Sequence, residues 1–232
     1  MVTTSLVVAR YNEDITWLAE YAARYPLYIY NKGEELHGNP QGTVVPLPNV
    51  GRESHTYLTH IINHYDRLPD LLIFWQARID DLGPWVHRDP ARYVSQALQY
   101  GYSASAYSVM TPSQWLAIDF LADAGYADAF RDGSLLPAEL SMVDYAFEHL
   151  GPLPLLTLVS LKGCFAVSQR SIRSRPKAFY ERIRDTISHH SNPVEGHYLE
   201  RLWAYMFSSN TLLPFALKLP LGAHSKFINM AG

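Results

Sequence analysis

The chain has 232 residues, 48% of them hydrophobic, and a formal net charge of −3. That length fits one large domain or two small ones, and the apolar content supports a substantial core and argues against a disordered chain. The charge balance gives no electrostatic case for nucleic acid, and the lone Cys164 excludes an internal disulfide and points to a reducing compartment.

The start, "MVTTSLVVARYNED", lacks the basic region and long apolar core of a signal peptide. No window reaches the roughly 18 apolar residues of a membrane helix. "LGPLPLLTLVSL" (Leu150 to Leu161) comes closest, and its prolines mark a loop and a buried strand. A cytoplasmic location without a transmembrane segment is therefore expected. Ser5 to Ala9 is rich in branched residues and reads as a first strand. Ile15, Leu18, Ala19 and Ala22 have helical spacing, so Ile15 to Tyr25 reads as a helix. Leu27 to Asn31 is a second strand, and "TVVPL" a third extended piece.

A helix over Gly51 to Leu68 follows, with Tyr57, Leu58, Ile61, Ile62 and Tyr65 at steps of three and four, and Pro69 ends it. Leu71 to Trp75 is apolar without alternation, as in a strand buried on both faces. The middle reads as mainly helical: "PARYVSQALQY", "PSQWLAIDFLADAGYADAF" and "PAELSMVDYAFEHL". "CFAVS" (Cys164 to Ser168) returns as a strand, and two helices follow, "PKAFYERIRDTISHH" and "GHYLERLWAYMF". This alternation implies an α/β fold: one domain over 1–232, a mostly parallel sheet flanked by helices, and a helical insertion around 88–151.

In an open α/β sheet, ligands bind beyond the carboxyl ends of the strands. Three expected strands end in polar clusters: Arg10 to Asp14; Asn31-Lys32-Gly33; and Gln76, Arg78, Asp80 and Asp81. One such cluster is an ordinary solvated loop. Three together point to a shared crevice. Gly51-Arg52-Glu53 opens a helix, where free N–H groups and the helix dipole suit a phosphate and Arg52 can add a bidentate contact. Taken alone, the plainer reading is surface charge on a helix capped by Asn49. Asp80-Asp81 suits a hard divalent ion, although adjacent side chains diverge unless the loop turns sharply.

His60 and His64 share a helical face without a visible third ligand, so a packed pair is expected rather than zinc. Glu195 and Glu200 flank His197, and Glu200 sits in a helix with an apolar stripe of Leu199, Leu202, Trp203 and Met206. A carboxylate held among apolar groups is a better base; an ion pair with Arg201 is an equal reading. Cys164 reads as a core thiol. Serine-hydrolase, P-loop and Rossmann glycine signatures are absent from the sequence.

The blocks "VVARYNEDITWL", "IYNKG", "NVGRESHTYLTHIINHYDRLPDLLIFWQ", "GCFAVSQRSIRSRP" and "HYLERLW" together resemble domain-of-unknown-function family 3431, from about Val7 to Trp203. A more distant resemblance is to GT-A-type glycosyltransferases. Their first strand often ends in a segment like "ARNE" near the nucleotide base, and "ARYNE" (Ala9 to Glu13) looks like it. Rhamnan-synthesis-type transferases carry a similar asparagine-x-glycine-arginine-aspartate run before a helix, here Asn49 to Glu53. "GCFAVSQRSI" resembles the strand that closes the acceptor side in several such enzymes. Where those enzymes place an Asp-x-Asp metal motif, this chain reads Gln76-Ala77-Arg78, with the aspartates two residues later.

The resemblance implies a glycosyltransferase that moves a sugar from a nucleotide-diphosphate donor to a small-molecule or glycan acceptor. Arg10, Asn12 and Glu13 would contact the nucleoside, and Lys32, Arg52 and Arg78 the diphosphate. Asp80, Asp81 and His197 would hold Mn2+ or Mg2+, unless Arg78 replaces the metal. Glu200, or else Glu53, would act as general base. The alternatives are a nucleotidyl-transfer or tailoring enzyme on the same scaffold, and a non-catalytic binding module.

Overall fold

The computed structural model describes residues 2–38, 40–79 and 89–207. Its sheet has six strands: β1 (Thr4–Arg10), β2 (Leu27–Asn31), β3 (Thr43–Pro46), β4 (Leu71–Gln76), β5 (Tyr102–Met110) and β6 (Thr157–Ser168). The order is β3-β2-β1-β4-β6-β5. The first four strands run parallel; β6 is antiparallel to both β4 and β5. The α/β class with a mostly parallel, helix-flanked sheet is thus as expected.

Side-chain alternation along the two central strands builds two cores. Val7, Leu72 and Phe74 face one side, where they meet α2 (Arg52–His64), α6 (Met142–Leu150), α8 (Lys177–Asp185) and α9 (Val194–Phe207). Leu6, Val8, Ile73 and Trp75 face the other, toward α1 (Ala19–Ala22) and α3 (Pro90–Tyr100). Burial on both faces is why Leu71 to Trp75 shows no polar alternation. Each such fully buried large side chain contributes about 1.5–3 kcal/mol.

The middle of the chain departs from expectation in two ways. Strand β5 lies within the stretch read as helical. Its small Ser and Ala residues give no strong periodic signal, and Gly101, at φ +87°, ends α3 just before it. The helix expected over "PSQWLAIDFLADAGYADAF" is broken into α4 (Pro112–Leu116) and α5 (Ala127–Arg131). Between them the Asp119 carboxylate accepts from the N–H groups of Leu121 and Ala122, and Asp123 from Gly125. These local bonds compete with helical ones. A five-residue α7 (Gln169–Arg173) follows β6.

The strand order reverses between β2 and β4, which lie on opposite sides of β1. That switch point opens a crevice beyond the carboxyl ends of β1 and β4. β6 reaches the same rim, because its Phe165 pairs with Phe74 and its preceding residues continue past the end of β4.

Candidate active site

A cleft of about 680 Å³ lies at this rim. Arg10, Glu13, Lys32, Arg52, Glu53, Arg78, His197 and Glu200 all line it, so eight of the eleven sequence candidates converge. Asn12 lines two adjoining hollows instead. Asp80 and Asp81 lie outside the described residues.

The wall formed by the β1 loop is self-bonded. Arg10 donates from Nε to the Glu13 carbonyl (3.0 Å) and from Nη1 to Asn31 Oδ1 (2.6 Å) and the Tyr11 carbonyl (2.9 Å). The Glu13 carboxylate accepts from the Tyr11 N–H (2.6 Å), and Asn12 Oδ1 from the Glu34 N–H (2.8 Å). The loop closes tightly over Gly33: a Cβ there would stand 2.0 Å from the Tyr11 carbonyl oxygen and 2.1 Å from Asn12 Oδ1. Next to this wall the Trp17 indole N–H donates to the Ala77 carbonyl (3.1 Å), one residue before Arg78.

The opposite wall comes from the start of α2 and from α9, which pack together. Gly51 (φ +59°) and Arg52 (φ +50°) enter α2 through left-handed backbone. A Cβ on Gly51 would lie 2.6 Å from the Ile187 carbonyl oxygen, so glycine is required there twice over. Lys32 stabilises the turn: its ammonium donates to the Val50 carbonyl (2.5 Å) and to that of Arg52. Burial pushes this lysine down to about 8, with Glu53 opposing the shift. Lys32 therefore holds the chain that carries Arg52. Two amides at the helix start are taken, because the Gly51 and Arg52 N–H groups donate to the carbonyls of His190 and Ser191 (2.8 and 3.1 Å). An anion here meets the Arg52 side chain rather than those two amides.

Arg52 is aimed by three acceptors. Its Nη1 donates to His197 Nε2 (2.8 Å) and Asn192 Oδ1 (3.4 Å), and its Nε lies 3.5 Å from Glu53 Oε2. The Glu53 carboxylate raises the guanidinium above its ordinary value. The His197 ring also meets Arg52 through Nδ1 (3.4 Å), and its Nε2 lies 3.2 Å from Asn192 Oδ1. Burial pushes His197 down to about 3, and the charges of Arg52 and Arg201 add to this. The imidazole proposed for a metal thus faces a guanidinium. Among the described residues no three metal-ligating side chains cluster. These donors do not fit a divalent ion by themselves.

Glu200 is anchored at one end: its Oε1 accepts from the Lys162 backbone N–H (2.6 Å). Lys162 (φ +80°) and Gly163 (φ +54°) form a bulge in β6, where the pairing with β5 slips between Ala104 and Ala106. A Cβ on Gly163 would come within 2.9 Å of Gln76 Nε2 and 3.2 Å of Glu53 Oε1. Arg52 and Lys162 are the two non-glycine residues with positive φ among those described, and both line the cleft. Such conformations cost about 1–2 kcal/mol each and cluster at functional sites.

Lys162 and Tyr126 are cleft residues that the sequence reading missed. The signal for Lys162 was a charged residue followed by glycine inside an apolar run, "SLKGCF", which marks a bulge. His60 and His64 are a stacked pair (4.2 Å), with His60 Nδ1 2.9 Å from the Tyr30 hydroxyl, away from the cleft. Cys164 is buried, and burial pushes its thiol up to about 12, as suits a core residue. Among the described residues no helix is long and apolar enough to cross a membrane.

No curated protein matches the sequence. Among solved structures, CMP:2-keto-3-deoxy-manno-octonic acid synthetase complexed with CTP is similar at 11% identity over 85% of each chain, with a TM-score of 0.35. At that level the likeness bears no argument about activity. The family model "Protein of unknown function (DUF3431)" matches residues 6–101 and 134–214, well over half of the sequence, and so the chain belongs to that family.

Proposed function

We propose that the chain is a glycosyltransferase-like enzyme of GT-A type, a single domain that transfers a sugar from a nucleotide-diphosphate donor to an acceptor hydroxyl. The observation that supports this reading is the convergence of Arg10, Lys32, Arg52 and Arg78 on one cleft. They come from four separate segments and share the cleft with the carboxylates Glu13, Glu53 and Glu200. A departing diphosphate needs such positive charge, held in place before the reaction.

Glu200 is the better base of the two candidates. Glu53 is 9% exposed and paired with Arg52, whereas Glu200 is fixed through one oxygen and faces the cleft. In this reading its second oxygen takes the proton from the acceptor hydroxyl as that oxygen attacks the anomeric carbon. The bond from that carbon to the diphosphate breaks, and its electron pair leaves with the diphosphate beside Arg52 and Arg78. A manganese or magnesium ion on Asp80 and Asp81 remains part of the proposal as a further counter-charge.

A thermal-shift screen tests the reading. At 100 times its Kd, a UDP- or GDP-sugar stabilises the native state by about 2.7 kcal/mol, which is roughly 5–10 °C for a domain of this size. Arms with and without manganese test the metal. Glu200→Gln should retain donor binding and lower transfer by about 10²–10⁴-fold. A response confined to nucleoside triphosphates would assign nucleotidyl transfer instead, and indifference to every nucleotide would leave a binding module.

A further inference from the structure

We infer that the second substrate carries an anionic group, a carboxylate or a phosphate, which Arg201 and Lys162 bind beside Glu200. The inference rests on the transfer reading and names the class of acceptor. Whatever surrounds the base surrounds the acceptor, because the base must reach the attacking hydroxyl. Two cations adjoin Glu200. Lys162 donates its backbone N–H to that carboxylate, and Arg201 is the next residue along α9.

The fold positions the Arg201 guanidinium and the Lys162 backbone. Arg201 donates from Nη1 to the His197 carbonyl (2.9 Å), and its guanidinium lies 4.9 Å from the centre of the Phe120 ring. Lys162 is held at φ +80° in the bulge, a strained state for a residue with a side chain. Neither forms an ion pair with a carboxylate among the described residues, although both line the cleft. Between Arg52 and Arg201 lies His197, whose ring cannot act as a counter-ion in either protonation state. Two cleft cations beside a base, neither ion-paired among the described residues, suit an anionic partner. The donor's diphosphate does not meet this need, since the base and the acceptor must stand on the far side of the anomeric carbon from the leaving group in a direct displacement.

The test is calorimetry on the full chain at constant ionic strength, with the cleft saturated by whichever nucleoside diphosphate stabilises it in the screen above. Inorganic phosphate and glucuronate are then titrated as separate probes, which distinguishes a phosphate from a carboxylate site. At least one should bind at millimolar concentration or better. Arg201→Gln and Lys162→Gly, the latter chosen because glycine retains the left-handed backbone, should each weaken that binding about tenfold or more. Both should leave the nucleoside diphosphate's Kd within about twofold. Unchanged probe binding in the variants, or no binding of either anion to the native chain, overturns the inference. Equal loss of nucleotide and probe also overturns it, by returning these cations to the donor. A chain that binds phosphate through Arg201 but no nucleotide at all refutes the transfer reading alone.

Discussion

On the β1 side of the cleft, Arg10 bonds Asn31 and the carbonyls of its own loop, Asn12 accepts from the Glu34 N–H, and Glu13 accepts from the Tyr11 N–H. On the α2–α9 side, Arg52 and Lys162 occupy strained backbone and are steadied by groups brought from far along the chain: Lys32, His197 and Glu200. The two walls contain similar residue types. One uses polarity to fix a loop, and the other uses the fold to fix charge. The lesson is that a polar cluster in sequence marks where a site begins, while its working charges are found where distant segments restrain one another.

The largest effect that separates the walls should come from Gly33→Ala. The added Cβ would press into the Tyr11 carbonyl and the Asn12 side chain, so the β1 wall must open. A loss of about 3 kcal/mol in urea-unfolding stability is expected. A loss below about 0.5 kcal/mol would mean that the loop is not closed as described.

Acid should act through three buried histidines, of which His197 belongs to the other wall. His55, His60 and His197 are buried and neutral, pushed down by burial to about 4, 3 and 3. In the unfolded chain each titrates near 6.5. Below that pH the unfolded state binds protons that the native state does not. Stability is therefore complete above about pH 6.5 and lost as the pH falls, with a slope of up to about 1.4 kcal/mol per pH unit for each histidine. Urea midpoints at pH 7 and pH 5 measure this, and His197→Gln should reduce the slope while keeping an acceptor for Arg52. A slope unchanged by that substitution would remove His197 from the account.

The smallest effect isolates strain from chemistry. Arg52→Gly and Arg52→Ala remove the same guanidinium, so both should weaken nucleotide binding by about tenfold or more. Glycine tolerates φ +50° and alanine does not, so the glycine variant should be more stable by about 1 kcal/mol. Equal stabilities would show that the turn relaxes once the side chain is gone.

Much of this was legible beforehand, for reasons that differ by element. The buried strands announced themselves because β1 and β4 are apolar on both faces, whereas α2 stops at His64, short of the expected Leu68, and a 3₁₀ turn (Tyr65–Arg67) leads to Pro69. Strand β5 was hidden because serine and alanine carry little patterning, and its place is set by pairing with β6. Within the site, Arg10, Lys32, Arg52 and Glu200 were visible as candidates, but their bonding was not. That Lys32 serves the backbone of residues 50–52, and that His197 faces a guanidinium, depends on tertiary contacts 18 to 145 positions apart in sequence. Lys162 was overlooked because its role comes from a bulge whose register only the neighbouring strand defines.

The indole of Trp17 lies between the closed loop and the cleft. It is tied to Ala77, stands 5.8 Å from the ring of Trp75, and shares a hollow with Arg78. A ligand that shifts the segment around Arg78 must disturb that indole, and with it the excited-state coupling of the two tryptophans. A change in intrinsic fluorescence on adding a nucleotide would therefore register movement at Arg78 without a dye or an engineered label.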